Sequence, residues 1–578
     1  MAANNSSSLG WDEISANNIT NTAGLDQTFC EKLASVPSVL FLNKDMLALE
    51  AQIVFTALAC IYIGSYGSLR RPPSAKPPKP SKNGNKKQAE EREDQHVSGL
   101  LPSDAILFPI MAGTTLIGLY YLIKWLEEPD ILNRILKGYF STMSLASLGK
   151  LIADGLSVLT GFIFPSVWTN GYGKIYHIDP EKREQRYVKS GTNDQILDKK
   201  KISPLPGPLS ELQLSDKTIQ WLWEIRRLLL EHWTVRLVVH GLVKENLGVK
   251  FNDIVGVVFA LGANILYYTT DSMLLSNMLG YAFSYTGIVL LSPTTFATGS
   301  SVLFGLFFYD IVMVFYTPFM VTVATKLDAP IKLVFQGPGK ASMLGLGDIV
   351  IPGMFVGLCL RFDHYMYYYR QLKFKKVELE TNDASSGQVV TTSKTAQMLI
   401  KPDYVNPRGQ WGDRFWGTKL SNMLSPDATP ALLASAFPKP YFHAAMAGYF
   451  LAMVATLLML LTFNHAQPAL LYLVPGVVLA VWITGAVRGE LREMWTYTED
   501  GSLDQEDIIA EVDENGKIIG GVEFKNKKDE DDKEKSADEK SKKTEEKGSD
   551  GAATVEKEEN SKAERYPVFL LSIEAPTP

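Results

Sequence analysis

Apolar and polar residues are segregated along this chain into long alternating blocks. Nine apolar runs lie near 46–66, 103–124, 139–164, 251–270, 272–292, 295–324, 342–361, 442–463 and 468–488. Each is close to the roughly 20 residues that a helix needs to cross a hydrocarbon core. The pattern predicts an all-α polytopic membrane protein of about nine transmembrane helices, with long polar loops and a disordered C-terminal tail. The third run carries Lys150 and Asp154 one helical turn apart, which predicts an ion pair turned toward other helices. The stretch 219–243 mixes Trp221, Trp223 and Trp233 with Leu228, Arg226, Arg227 and Arg236. That mixture predicts a helix lying in the membrane interface, not one crossing it.

Two features orient the bundle. Arg70, Arg71, Lys76, Lys79, Lys82, Lys86 and Lys87 follow the first run closely, and short loops so rich in positive charge face the cytosol. Sequons at Asn4, Asn5 and Asn18 are candidate glycosylation sites only on a lumenal N-terminus. An odd number of spans then puts the C-terminus in the cytosol. The chain divides accordingly into a lumenal segment 1–45 and three spans over 46–164, with a basic cytosolic linker at 67–101. A cytosolic insertion 165–250, four spans over 251–361 and a second cytosolic insertion 362–441 follow. Two spans over 442–488 and a charged cytosolic tail 489–578 complete it.

Composition changes this picture little. The net charge of −6 carries no message about partners, because Lys, Glu, Asp and Ser dominate 524–565, a composition expected to stay solvated and disordered. Residues 1–40 lack the basic-then-apolar layout of a cleaved leader, so the first span is expected to act as its own insertion signal. Of the three cysteines, Cys60 and Cys359 fall in predicted spans and Cys30 has no evident partner; no structural disulfide or metal site is expected. No phosphate loop, nucleophile elbow or nucleic-acid motif is present, and the basic linker is explained by topology.

The chemistry concentrates on two aspartates. Asp310 closes Gly305-Leu306-Phe307-Phe308-Tyr309-Asp310 and Asp348 closes Gly345-Leu346-Gly347-Asp348, both inside apolar stretches. A carboxylate near the bilayer centre costs roughly 2.5–3.5 kcal/mol on insertion scales, so it is seldom idle. Asp310 lies 15 residues beyond Thr295 and Asp348 lies 13 before Arg361, placing both about 20 Å from the cytosolic edge on antiparallel neighbours. Two carboxyls about 3 Å apart cannot both ionise readily, so such a pair holds a shared proton. One member can then take a proton from water while the other polarises a scissile carbonyl. Gly345 and Gly347 add no bulk beside Asp348 and permit close helix approach. Tyr309 is placed either to hydrogen-bond within the site or to pack beside it. A third element, Gln467-Pro468-Ala469-Leu470 with Pro475 beyond it, marks an irregular segment where an unwound substrate could find backbone partners.

Tyr309-Asp310, Gly345-Leu346-Gly347-Asp348 and Gln467-Pro468-Ala469-Leu470, in this order, resemble the motif set of the GxGD intramembrane aspartyl proteases. The text from Met320 to Phe335 and from Gln467 to Pro475 is similar to the signal peptide peptidase branch. The resemblance is close over about 251–361 and 442–495 and thinner over the first three spans. It implies a presenilin-like helical fold, Asp310 and Asp348 as the catalytic pair, and Pro468-Ala469-Leu470 as shapers of the site. It implies no cofactor beyond the catalytic water. Implied substrates are remnant signal peptides and other type II-oriented or tail-anchored helices in the endoplasmic reticulum membrane. Candidate partners are a second copy of the chain or quality-control proteins of that membrane. The insertions 165–250 and 362–441 are longer than the family leads one to expect, and Glu574–Pro578 contains no dilysine retrieval signal. The lumenal N-terminus separates the chain from presenilins, whose catalytic spans run the opposite way. The alternative readings are a proton-coupled transporter, expected to show internal repeats, and a non-catalytic quality-control scaffold.

Overall fold

The computed structural model describes residues 44–76, 98–126, 129–170, 175–188, 195–197, 201–212, 214–239, 243–270, 272–326, 331–337, 340–378, 381–382, 389–390, 395–408, 411–417, 436–463, 467–501, 503, 509–512, 518–522 and 569–574. Among them, nine helices are long and apolar enough to cross a membrane. They are α1 (Lys44–Gly67), α2 (Asp104–Leu126), α3 (Pro129–Ile163), α4 (Phe251–Thr269), α5 (Met273–Leu290), α6 (Phe296–Phe315), α7 (Gly347–Tyr369), α8 (Pro440–Phe463) and α9 (Leu470–Arg488). The protein is a polytopic helical membrane protein, as the hydrophobic pattern predicts. Asn4, Asn5, Asn18, Cys30, most of the basic linker, His465 and 524–565 lie outside the described residues.

Three spans differ from the pattern, each for a local reason. Helix α3 begins ten residues early, at Pro129, because Asn133, Arg134 and Lys137 obscure an otherwise helical start. Helix α6 stops at Phe315 and a separate short helix, Phe319–Lys326, follows Pro318; proline disfavours helical geometry in the residue before it. The run 342–361 is shifted. Lys340–Gly345 is a strand paired antiparallel with Lys332–Gly337, and α7 continues two turns beyond Arg361. Lys150 and Asp154 do pair, at 3.2 Å, and Tyr285 of α5 donates its hydroxyl to Asp154.

Helix α7 sits at the centre. In its span 83% of the residues are buried, against 39% or less in every other span, and α1, α5, α6, α8 and α9 all pack on it. This is also the helix that carries Asp348, Arg361, Asp363 and His364, side chains that lipid would penalise. Enclosure is how the fold accommodates them. Gly353 lets the neighbours close in: a Cβ there would stand 2.7 Å from Ile288 of α5 and 3.3 Å from Ile61 of α1. Helices α8 and α9 form an antiparallel pair that meets at glycines, with Gly448 packed directly on the Gly476 backbone.

One end of the bundle is closed by a buried ionic network. Arg361 donates to Glu499 (2.8 Å), Ser68 (2.7 Å) and Ser292 (2.7 Å), while Arg70 also pairs with Glu499. Ser292 and Tyr497 donate to the same carboxylate, and the Glu499 amide donates to the Thr294 carbonyl at 2.9 Å. Burial works to push the Glu499 carboxyl up, but the Arg361 and Arg70 charges overcome it and hold the group at about 2. Arg361, Asp363 and His364, at and just past the end of the predicted span, are all buried inside the protein. Asp363 caps the start of α8, accepting from the amides of Tyr441 (3.3 Å) and Phe442 (2.8 Å).

The polar insertions fold too. Strands Val167–Thr169, Ile175–Asp179, Glu184–Val188 and Gln195–Leu197 form an antiparallel sheet in chain order. Trp168, Tyr176, Ile178 and Trp223 make its small core, with Lys201 Nζ over the Trp168 and Tyr176 rings at 4.4 and 4.6 Å. A helix from the second insertion, Trp411–Gly417, joins it: Asp413 accepts from the amides of Ser166 and Val167, and Trp416 donates to the Phe162 carbonyl. The stretch 219–243 divides into the end of helix Asp216–Leu230, which buries Trp223 and Arg226, and the strand His232–Val239. The β-branched run Thr234, Val235, Val238, Val239 favours that strand. Segments of the tail add strands to both insertions. Phe569–Glu574 pairs with His232–Val239, and Ile509–Val512 pairs with Thr395–Ile400.

Candidate active site

Each element of the site ends where a carboxylate needs it. Asp310 lies on α6 and is buried, 4% exposed, although five residues from the helix end. Asp348 is the second residue of α7, immediately past the strand-to-helix junction at Leu346. The helices that bear them, α6 and α7, pack on one another. Arg361 bonds to Ser292 just ahead of α6; 13 residues of α7 separate Arg361 from Asp348 and 14 of α6 separate Phe296 from Asp310, counts compatible with the level match expected from the sequence.

The proline-marked segment completes the site. Pro468 and Leu470 are buried, and α9 begins at Leu470. The Leu470 amide donates to Asp310 Oδ2 at 3.1 Å. The first amides of a helix have no partners inside it, and the helix dipole favours negative charge there. The Pro-Ala-Leu turn thus aims an unused backbone donor, and the positive end of α9, at one of the two carboxyls. Gln467 and Ala469 flank it, half-buried.

The two glycines act differently from the close-approach expectation. Neither adopts the left-handed backbone. A Cβ on Gly345 would stand 3.3 Å from Asp348 Oδ2, whereas one on Gly347 would meet only Ile351, at 3.7 Å. Gly345 keeps space open at the carboxylate, and Leu346 closes the hairpin by donating to the Ile331 carbonyl at 3.1 Å. The Tyr309 ring lies toward α2, 3.7 Å from where a Cβ on Gly113 would be, which is the packing alternative.

The hairpin in front of Asp348 has one edge covered by α5 and one to which no backbone of the described residues bonds. The Asn277 side chain of α5 both donates to the Val334 carbonyl (2.7 Å) and accepts from its amide (2.9 Å). Val334 is opposite Met343. Since Val334 turns both backbone groups outward, this is a non-hydrogen-bonded pair, and Met343 and Gly345 turn theirs outward on the other edge. That edge runs directly into Asp348. Leu333, packed on Gly280 of α5, anchors the covered side. Neither Asn277 nor the hairpin was singled out in the sequence, although Lys332–Gly337 alternates buried and half-buried positions as an antiparallel strand does.

Asp310 and Asp348 thus lie on membrane helices that pack on one another, and Asp310 accepts from the first amide of a third. The family model for signal peptide peptidase matches residues 90–501, and the chain belongs to that family; it is an intramembrane protease. It is 27% identical over 414 residues to human signal peptide peptidase, covering 69% of this chain and 74% of that one. It is 31% identical over 274 residues to intramembrane protease 2 of Caenorhabditis elegans, 46% of this chain and 47% of that one. With a probable intramembrane protease of Schizosaccharomyces pombe the identity is 30% over 262 residues, 44% of this chain and 68% of that one. No solved structure matches the chain significantly.

Proposed function

We propose that Asp310 and Asp348 are the catalytic pair and that they hydrolyse peptide bonds within membrane-spanning segments. The observation that carries this reading is the Leu470 amide held against Asp310, on a helix that packs on the one bearing Asp348. The ionised member takes a proton from water, whose oxygen attacks the scissile carbon while the protonated member donates to the carbonyl oxygen. The gem-diol collapses as the departing nitrogen takes up a proton. Coupled carboxyls titrate as a pair, so the two roles belong to the pair and not to fixed residues. No cofactor beyond water enters.

A helical substrate hides its carbonyls in its own ladder and must be unwound first. The edge at Met343 and Gly345 gives an extended segment replacement partners by strand addition, leading its scissile bond to Asp348. Gly345, Leu346 and Gly347 then shape one wall of the site, Gln467, Pro468, Ala469 and Leu470 the other, with Tyr309 behind Asp310. The substrates on this reading are remnant signal peptides and other type II-oriented or tail-anchored helices of the endoplasmic reticulum membrane. The N-terminus is lumenal, with Asn4, Asn5 and Asn18 available for glycosylation. The insertions, the tail and the Glu499 network face the cytosol, where quality-control partners or a second copy of the chain would engage them.

The deciding experiment is cleavage of a synthetic signal peptide in proteoliposomes by wild type, Asp310→Ala and Asp348→Ala. Turnover lost in both folded variants, and blocked in wild type by an aspartyl transition-state analogue, is expected. Turnover surviving in either variant refutes the pair.

A further inference from the structure

Helix α7 contains Pro352, four residues after Asp348. Proline has no amide hydrogen, so the ladder bond that residue 352 would give the Asp348 carbonyl is missing. An orphaned carbonyl inside a protein costs about 1–3 kcal/mol unless another donor reaches it. One does. The hydroxyl of Tyr449, on α8, donates to the Asp348 backbone oxygen at 3.2 Å. Tyr449 is fully buried in the main core.

We infer that Tyr449 is a positioning residue for the aspartate pair: its hydroxyl replaces the amide that Pro352 removes and fixes the Asp348 backbone at the head of α7. The first turn of a helix is its least constrained part, because its amides are unpaired. In α7 that turn bears a reacting group and has lost a ladder bond besides. Without the tyrosine, the main chain at Asp348 is held only by its neighbours, and the carboxyl is free to swing relative to Asp310. The hydroxyl also links α8 to the site, since Gly448 next to it packs on Gly476 of α9, the helix whose first amide reaches Asp310. The two aspartates are thus each held by a donor from the α8–α9 pair, one at its side chain and one at its backbone. This inference rests on Asp348 belonging to the catalytic pair.

The test is a two-by-two set on the full-length protein in proteoliposomes: wild type, Tyr449→Phe, Pro352→Ala and the double variant. Each is assayed for kcat and KM on one synthetic signal peptide and for affinity to an aspartyl transition-state analogue. Tyr449→Phe is expected to lower kcat and analogue affinity together by at least about tenfold, the scale that misplacement of a reacting group produces, with KM unchanged. Pro352→Ala restores the missing amide, so the double variant is expected to recover most of that loss. A merely structural hydroxyl would not be rescued at residue 352. Wild-type kcat in Tyr449→Phe, or a double variant as poor as Tyr449→Phe, overturns the inference. If Tyr449→Phe alone fails to fold, the Pro352→Ala background decides: dependence on the hydroxyl there refutes it, independence supports it. Asp348→Ala in parallel separates this outcome from failure of the pair, since an active Asp348→Ala would sink the catalytic assignment whatever Tyr449 does.

Discussion

Arg361 and Glu499, 138 positions apart in the chain, meet at 2.8 Å with both side chains 5% or less exposed. Arg361 lies on the helix of Asp348 and Glu499 bonds through its amide to Thr294, just ahead of the helix of Asp310. One carboxylate thereby holds the feet of both aspartate-bearing helices in register.

Glu499→Gln is expected to lower the thermal midpoint at pH 7, because it leaves two guanidiniums buried without a counter-charge, an arrangement that costs about 3–5 kcal/mol when one partner is removed. The pH dependence has a definite sign. The Glu499 carboxyl is held at about 2, below its ordinary 4.5. Its contribution is therefore complete above about 4.5 and is lost as pH falls toward 2. Thermal unfolding of wild type and Glu499→Gln between pH 7 and pH 3 checks this: the difference in midpoint should shrink on acidification. A constant gap would mean that the charge is not the source.

Because Ala469 is already helical (φ −66°, ψ −37°), a proline at 470 would distort it; replacing the Leu470 amide by a backbone ester, with the α-hydroxy analogue of leucine, removes only the donor that reaches Asp310. Cleavage is expected to fall by about tenfold or more, in line with loss of a charge-assisted hydrogen bond, relative to Leu470→Ala, which removes the side chain but keeps the donor. Equal activity in the two variants would show that the amide is dispensable.

Gly345→Val sets branched bulk beside Asp348 Oδ2. Its cleavage rate should drop by about a hundredfold at unchanged midpoint, the effect expected of a misplaced reacting group, whereas Gly347→Ala, facing only Ile351, should stay within about threefold, as expected away from such a constraint. The comparison of kcat for the two, on one peptide, reads the difference.

Asn277→Leu unlatches the covered edge of the hairpin at Val334. We expect KM to rise more than kcat falls, since the strand that receives substrate loses its fixed register. A pure kcat effect would place Asn277 in the chemistry instead.

Removal of 524–578 takes away Phe569–Glu574 and uncovers the edge of His232–Val239, far in sequence from the aspartates. Cleavage by the truncated protein is expected to remain within about threefold of the full chain, the tolerance usual for changes away from buried features. A folded but inactive truncation would refute this.

Much of the molecule was legible because lipid imposes a one-dimensional rule: long apolar runs become helices. Nine spans among the described residues and the Lys150–Asp154 pair follow from it. What escaped was governed by partners distant in sequence. The partner of Arg361 was not legible because the carboxylate that neutralises it lies 138 residues on. The strand at Lys340–Gly345 was absorbed into an apolar run, since periodicity cannot separate a short buried strand from a helix. Asn277 and Tyr449 are ordinary residues by type, and only their targets, a strand edge and a proline-freed carbonyl, give them meaning. Pro352 was the one visible signal, four places beyond Asp348.

The most enclosed helix, α7, also contains the least apolar of the nine spans, and this bears on how the molecule is made. A ribosome delivers Arg361 and Asp363 to the membrane long before it has synthesised the Tyr441 and Phe442 amides that cap Asp363, or the Glu499 that answers Arg361. Throughout that interval the centre of the finished protein is the segment that the bilayer accepts least. The unfinished chain must shelter it, beside the insertion machinery or against α1 and α5, until the last helix and the short strap after it arrive. Maturation of this protease is thus timed by its final stretch: chains released before residue 499 should be targets for membrane quality control, whereas those cut after residue 523 should not.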